Sequence, residues 1–109
     1  MTRELRTQLI KIAKEKIKDD DVSHDFGHAL RVLLNAERIA RKEGGDLDVI
    51  VPAALFHDVV VYPKNHPDKN QSQEDSAQAA KKILSEIEGF SKERLMEVVT
   101  CILECSFSK

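Results

Sequence analysis

Residues 49–61 read VIVPAALFHDVVV and form the longest apolar run of the chain. The run is apolar on nearly every side of a helix, which predicts a buried central helix rather than a surface helix. A helix tolerates Pro52 best near its first turn. We therefore expect Asp46 or Asp48 to cap a helix that continues through Val60. The run is too short to span a bilayer, which requires about 20 apolar residues.

Four other segments have the apolar spacing of amphipathic helices, and none has the alternating pattern of a strand. The sequence therefore predicts an all-α, five-helix bundle. The first helix is expected over residues 3–18. Ser23 should be the N-cap of the second helix and Gly44-Gly45 should end it. A capping box at 72–75 should start the fourth helix and Gly89 should end it, and Ser91 should be the N-cap of the fifth. The expected inward positions are Leu5, Leu9, Ile12, Ala13 and Ile17; Ala29, Val32, Leu33, Ala36, Ile39 and Ala40; Ala77, Ala80, Ile83, Leu84 and Ile87; and Leu95, Val98, Val99 and Ile102.

The composition is that of an ordinary soluble domain. The 109 residues suit one domain, and 41% of them are hydrophobic. The 17 Lys and Arg residues nearly balance the 19 Asp and Glu residues, which argues against a nucleic-acid partner. No apolar signal segment follows Met1. We therefore expect a cytoplasmic protein without a membrane or nucleic-acid partner.

An adjacent histidine and aspartate, His57 and Asp58, lie inside the apolar run, where burial without a partner is costly. A divalent cation would satisfy both side chains. His28 lies near the start of the second helix, so antiparallel packing of helices two and three would bring three ligand atoms to one end of the bundle. Imidazole and carboxylate donors suit Mn²⁺, Fe²⁺, Co²⁺, Ni²⁺ or Zn²⁺ better than Ca²⁺ or Mg²⁺ alone, and Mg²⁺ stays open as an alternative.

The segments SHDFGHALRV at 23–32 and AALFHD at 53–58 together resemble the HD-domain superfamily of metal-dependent phosphohydrolases. His-x-x-Arg-Val followed about thirty residues later by Ala-Leu-x-His-Asp is specific as a combination. The resemblance implies an enzyme whose divalent ion is held by His28, His57 and Asp58. Residues 62–65 and 106–108 resemble small stand-alone HD hydrolases of bacteria and archaea, some of which act on nucleoside triphosphates or other small phosphorylated molecules. The implied reaction is hydrolysis of a phosphoester or pyrophosphate, with a nucleotide as the expected substrate.

Two features depart from that family. Members take a final Asp ligand from a later helix, but no Asp follows Asp75 in this sequence. We expect these residues to be the N-terminal part of a longer polypeptide, with a degenerate domain as the alternative. Val61 and Tyr62 also stand where several nucleotidases and the alarmone hydrolases have acidic residues. Any general base would then come from the loop at 62–71, from water on the ion, or from Glu74 and Asp75, for which helix-start roles are the simpler interpretation.

Several other side chains are weaker candidates. His24 and Asp25 are expected to orient a ligand or to start the helix rather than to bind the ion. Arg31 would either face an anionic substrate or hold a carboxylate. Lys64 and Lys69 could draw the substrate phosphate, although loop lysines are usually only solvated. His66 is expected to be a surface histidine, with substrate contact or binding of a second metal ion, as in binuclear members of the superfamily, as the alternatives.

Two rival functions and one oligomeric state stay open. The domain could bind a nucleotide without turnover, or it could be a helical interaction domain with an incomplete metal site. Its amphipathic helices would also suit a homodimer.

Overall fold

The computed structural model describes residues 1–17, 26–60, 67 and 71–104, which form five helices and no strand. The predicted all-α class is therefore confirmed. Ser23 and most of the loop at 62–71 lie outside the described residues. The helices are α1 (Arg3–Lys16), α2 (Phe26–Glu43), α3 (Leu47–Phe56), α4 (Ser72–Ser85) and α5 (Lys92–Glu104). Within the described residues, no helix is both long and apolar enough to cross a membrane.

Helix α3 is the central helix, as its apolar sequence predicts. Residues 51–56 are all buried, and the helix packs against each of the other four. Asp46 is the N-cap, and its side chain accepts a hydrogen bond from the Asp48 N–H at 3.0 Å. Pro52 lies inside the helix and is fully buried. The chain's most apolar segment thus forms the middle of the core.

Helix α3 ends at Phe56, so the predicted continuation to Val60 is wrong. The Val59 N–H bonds to the Phe56 carbonyl at 3.2 Å, which closes a turn instead of extending the helix. Both polar backbone groups of Val60 bond to the side chain of Ser76. Because a distant helix takes these groups, residues 57–60 leave the helical path.

Helices α2 and α3 run antiparallel, joined by the short link at residues 44–46. Gly44 has φ +87°, and its N–H bonds to the Ala40 carbonyl at 2.8 Å, which is a common way to end a helix. The predicted glycine stop is confirmed. The antiparallel arrangement places the first turn of α2 beside the last turn of α3.

The two edges of the apolar stripe on α2 differ from the sequence expectation. Ile39, predicted to face inward, is 59% exposed, whereas Glu37 is only 8% exposed. At about 100° per residue, these two side chains lie on opposite edges of the stripe. Arg6 of α1 covers the Glu37 edge, donating to its carboxylate through Nε at 2.8 Å and through a terminal nitrogen at 3.0 Å. The position of α1 therefore decides which edge is buried.

The remaining helices match the prediction except at their ends. Leu9 and Ala13 of α1 and its C-cap Ile17 are buried, and the helix ends two residues early at Lys16. Helix α5 buries all four predicted positions, and the Ser91 hydroxyl accepts the Arg94 N–H at 3.3 Å.

Helix α4 differs at both ends. Its N-cap is Gln71, so Ser72 lies inside the helix and the predicted capping box is wrong. Gln73 and Ser76 bond to other parts of the fold, and these tertiary contacts set the register of the first turn. The helix ends at Ser85 rather than at Gly89, because the Glu86 N–H turns back to the Ile83 carbonyl at 3.2 Å.

Candidate metal centre

His28, His57 and Asp58 meet at one end of the bundle. His28 lies in the first turn of α2, while His57 and Asp58 directly follow the last residue of α3. The two imidazole rings have centroids 6.1 Å apart and are tilted by 53°. Two helices that are consecutive in the chain thus bring together side chains about thirty residues apart.

One ligand atom from each of the three residues lies within 4.8 Å of the other two. The Asp58 Oδ2 atom is 3.2 Å from Nε2 of His57 and 4.0 Å from Nε2 of His28. Within the described ranges, this is the one group of three or more His, Cys, Asp or Glu residues with such spacing. The geometry is therefore that of a compact set of donors.

A hydrogen bond at the end of α3 fixes the His57 ring. Its Nδ1 is 2.7 Å from the carbonyl oxygen of Ala54, which can only accept, so Nδ1–H is the donor. Ala54 lies in the last turn of α3, where carbonyls lack part of their helical partners. In the neutral imidazole, the lone pair then belongs to Nε2, the atom that faces Asp58. This is the usual arrangement of a histidine that binds a metal through Nε2.

The electrostatics of the group favour a positive charge between its donors. Burial by itself lowers the pKa of His57, but the hydrogen bond to Asp58, the Asp58 charge and the bond to Ala54 raise it above its usual value. The His57 side chain is only 1% exposed, and Nε2 of both histidines is shielded from solvent. A carboxylate oxygen and a neutral imidazole lone pair repel at 3.2 Å, so the pair requires a proton or a metal ion.

The donor chemistry fits a divalent metal ion. Two imidazole nitrogens and one carboxylate oxygen form the set used by many catalytic transition-metal sites. The Nδ1–H bond of His57 orients its ligand atom, and the antiparallel pair of helices supports both rings. The described residues thus provide a possible His/His/Asp metal site.

The turn that carries Asp58 is anchored by a residue that the sequence analysis did not single out. Ser76 of α4 is fully buried, and its hydroxyl makes 3.0 Å hydrogen bonds with both the N–H and the carbonyl of Val60. The sequence did contain a sign of this role, because a serine beside the inward positions Ala77 and Ala80 would be buried and would need a hydrogen-bond partner. The spacing alone could not show which backbone groups it would reach.

The other predicted site residues are not part of this donor group. Glu74 is exposed and Asp75 is half-buried in the first turn of α4, and neither belongs to the set within 4.8 Å. Arg31 is exposed on α2, three residues after His28. The predictions for His24, Asp25, Lys64, His66 and Lys69 lie outside the described residues.

A second cluster of charges occupies the opposite end of α3. Arg94 of α5 lies 3.1 Å from Asp46 through Nε and 3.1 Å from Asp48 through a terminal nitrogen. The hydrogen bond to Asp46 and the charges of both aspartates raise the pKa of Arg94. These carboxylates therefore face a permanent cation, which distinguishes them from Asp58.

Comparisons with known proteins gave one family match. No curated protein and no solved structure gave a significant match. The sequence model of the HD domain matches residues 25–109, well over half of the chain and including all three donors. The matched segment, the five-helix architecture and the His/His/Asp group lead to one conclusion: this chain belongs to the HD domain family.

Proposed function

We propose that this chain is a metal-dependent phosphohydrolase domain that acts on a nucleotide or another small phosphoester or pyrophosphate. HD domains are typically metal-dependent hydrolases. The observation that carries the proposal is the convergence of His28, His57 and Asp58, with their ligand atoms within 4.8 Å of one another.

The three side chains would hold a divalent ion, for which Mn²⁺, Fe²⁺, Co²⁺, Ni²⁺, Zn²⁺ and Mg²⁺ are all candidates. When bound, such an ion lowers the pKa of water and polarises a phosphoryl oxygen. The hydrogen bond to the Ala54 carbonyl keeps the His57 proton on Nδ1, so the lone pair of Nε2 can bind the metal ion. Asp58 supplies the negative charge that stabilises the cation. Three protein donors are also the usual number in catalytic zinc sites, where the remaining position serves water or substrate.

An exposed cationic side chain close to His28 in the chain supports a phosphate substrate. Arg31 is exposed three residues after His28, where its guanidinium would be accessible to an anion. We assign substrate contacts to Arg31 and to the loop residues Lys64, His66 and Lys69. We keep Glu74 and Asp75 as candidates for a general base because they directly precede Ser76, which bonds to the turn after Asp58.

Metal content and hydrolysis together test this function. The purified chain is analysed for bound metals, then stripped with EDTA and reloaded separately with Mn²⁺, Co²⁺, Ni²⁺, Zn²⁺ or Mg²⁺. Release of phosphate and pyrophosphate is measured over nucleoside mono-, di- and triphosphates. We expect turnover that depends on the added ion. Saturable nucleotide binding without turnover would favour the nucleotide-binding alternative, and no metal or nucleotide response would favour the interaction domain.

The two ends of α3 offer a matched pair of variants. Asp58→Asn removes a charged donor from the proposed site, while Asp46→Asn makes the same chemical change at the other end and retains a good N-cap. We expect Asp58→Asn and His57→Ala to weaken metal binding by more than about 100-fold, because even residues that only support ligands cost 10–100-fold. Asp46→Asn should bind metal like the unmodified protein. Unchanged metal content and activity in Asp58→Asn and His57→Ala would reject the proposed function.

A further inference from the structure

The hydroxyl of Ser76 reaches out of its own helix to the turn that carries Asp58. It accepts the Val60 N–H at 3.0 Å and donates to the Val60 carbonyl at 3.0 Å. Its side chain is fully buried, as are those of its neighbours Ala77 and Ala80. A single side chain therefore engages both polar backbone groups of the residue two positions after Asp58.

Local preferences do not explain a serine at this position. Alanine is the better residue for a helix interior, and a buried hydroxyl is costly unless it is hydrogen-bonded. Serine within a helix commonly bonds to the carbonyl four residues earlier. Ser76 instead bonds across to Val60. The hydroxyl thus links α4 to the turn after α3 by hydrogen bonds.

This connection is one of the hydrogen bonds that hold the backbone around Asp58. On the near side, His57 bonds to Ala54, and the bond from the Val59 N–H to the Phe56 carbonyl spans Asp58. On the far side, Ser76 holds Val60. The Asp58 side chain is 24% exposed, so packing alone does not fix it. The hydrogen bonds on both sides therefore hold the backbone that carries this carboxylate.

We propose that Ser76 is a positioning residue for the metal centre: its hydroxyl holds Val60 and thereby keeps the Asp58 carboxylate facing both histidine Nε2 atoms. The inference rests on the proposed function in one respect, since the ion is what this placement serves. Ser76 is not one of the three proposed metal ligands, and its effect is transmitted through the backbone of residues 58–60.

Gln73, one turn earlier on α4, provides a matched control. Its side-chain amide donates to the carbonyls of Ile102 at 2.8 Å and Leu103 at 2.7 Å, in the last turn of α5. Like Ser76, it makes two hydrogen bonds from α4 to backbone groups elsewhere. It differs because its bonds lead to α5 rather than to the turn that carries Asp58.

The test compares Ser76→Ala, Ser76→Thr and Gln73→Ala with the unmodified chain. Calorimetric titration of the EDTA-stripped proteins with Co²⁺ gives the metal dissociation constant, and urea unfolding without metal gives the stability. We expect Ser76→Ala to weaken Co²⁺ binding about tenfold, at the lower end of the range for residues that support metal ligands. Gln73→Ala should lose stability while keeping Co²⁺ affinity within about twofold, and Ser76→Thr should recover most of the affinity because it keeps the hydroxyl.

A second readout does not depend on any metal. NMR spectra of the metal-free proteins report the ring resonances of His57 and the backbone resonances of Asp58. Both should shift in Ser76→Ala and stay in place in Gln73→Ala. Unchanged Co²⁺ affinity or unchanged resonances in Ser76→Ala would overturn the inference, as would equal losses in Ser76→Ala and Gln73→Ala. If the unmodified protein binds no Co²⁺, the proposed function fails, and the metal-free spectra alone decide whether Ser76 positions Asp58.

Discussion

Helix α3 has aspartates near both of its ends, in opposite electrostatic settings. At the start, Asp46 and Asp48 face the guanidinium of Arg94, and the Asp46 side chain is 45% exposed. At the end, Asp58 faces the Nε2 atoms of His28 and His57, and the His57 side chain is 1% exposed. The first cluster is a pair of salt bridges to an exposed arginine, whereas the second is a group of metal-ligand atoms in which both histidine Nε2 atoms are shielded.

The difference shows which feature marks a binding site. A carboxylate beside a permanently charged arginine is already neutralised, so it has little affinity left for an added cation. A carboxylate beside imidazoles is neutralised only when a proton or a metal ion is present. Among the described residues the start has two aspartates and the end has one, so the number of carboxylates does not mark the site. The chemistry of the facing groups makes only one of them a candidate metal centre.

The largest change in stability is expected from a substitution in the core next to the metal centre. Phe56 is fully buried and directly precedes His57. Phe56→Ala should lower the free energy of unfolding by about 3–5 kcal/mol, because it leaves a large cavity. It should also weaken Co²⁺ binding, because it removes the packing that supports the turn. Urea unfolding and calorimetric titration measure the two effects.

A substitution in the first half of α3 provides a control for the Phe56 variant. Val51 is also fully buried, and Val51→Ala should destabilise the protein less while leaving the Co²⁺ dissociation constant nearly unchanged. Phe56→Leu serves if Phe56→Ala does not fold. Equal loss of Co²⁺ affinity in Val51→Ala and the Phe56 variant would show that the metal centre responds to overall stability rather than to its local support.

A change of pH should have an intermediate effect on the stability of the metal-free protein. The pKa of His57 is raised in the folded state, so its protonated form contributes stability that is fully present below the unfolded value of about 6.5. That stability is lost as the pH rises through the raised folded value. The metal-free protein should therefore become less stable over this window, as measured by urea unfolding with EDTA.

Metal binding should show the opposite pH dependence. The ion competes with the proton on His57, so affinity should rise with pH, by about tenfold per unit where one proton is released. Calorimetric titration with Co²⁺ between pH 6 and 8 measures this trend. The His57→Ala variant should lose the pH dependence of metal-free stability over this window. A metal-free protein that gains stability through the window would contradict the pairing of His57 with Asp58.

The smallest effect is expected at the start of α3. Arg94 is exposed, and surface ion pairs contribute little because water and salt screen them. Arg94→Ala should change stability less than Phe56→Ala or Val51→Ala, and the remaining change should shrink as salt is added. Its Co²⁺ affinity should match that of the unmodified chain. A large loss of metal affinity in Arg94→Ala would show that the two ends of α3 are coupled.

The sequence predicted helices better than it predicted their ends. Gly44 and Ser91 act through backbone conformation and a local cap, so their roles are readable from neighbouring residues alone. The end of α3 at Phe56 depends on Ser76, which is sixteen residues away from Val60 in the chain. The first turn of α4 depends on carbonyls of α5. Such helix ends depend on hydrogen-bond partners far away in the chain, which the local sequence pattern does not reveal.

The sequence by itself determined the five helices, the central place of α3 and the three candidate ligands, because apolar period and residue type carry that information. Only the tertiary structure decided that the ligand atoms of His28, His57 and Asp58 lie within 4.8 Å of one another. It also decided that Glu37 is covered while Ile39 is exposed, and that Ser76 holds the turn after Asp58. These outcomes depend on which helices meet, and the contacts between helices join residues far apart in the chain.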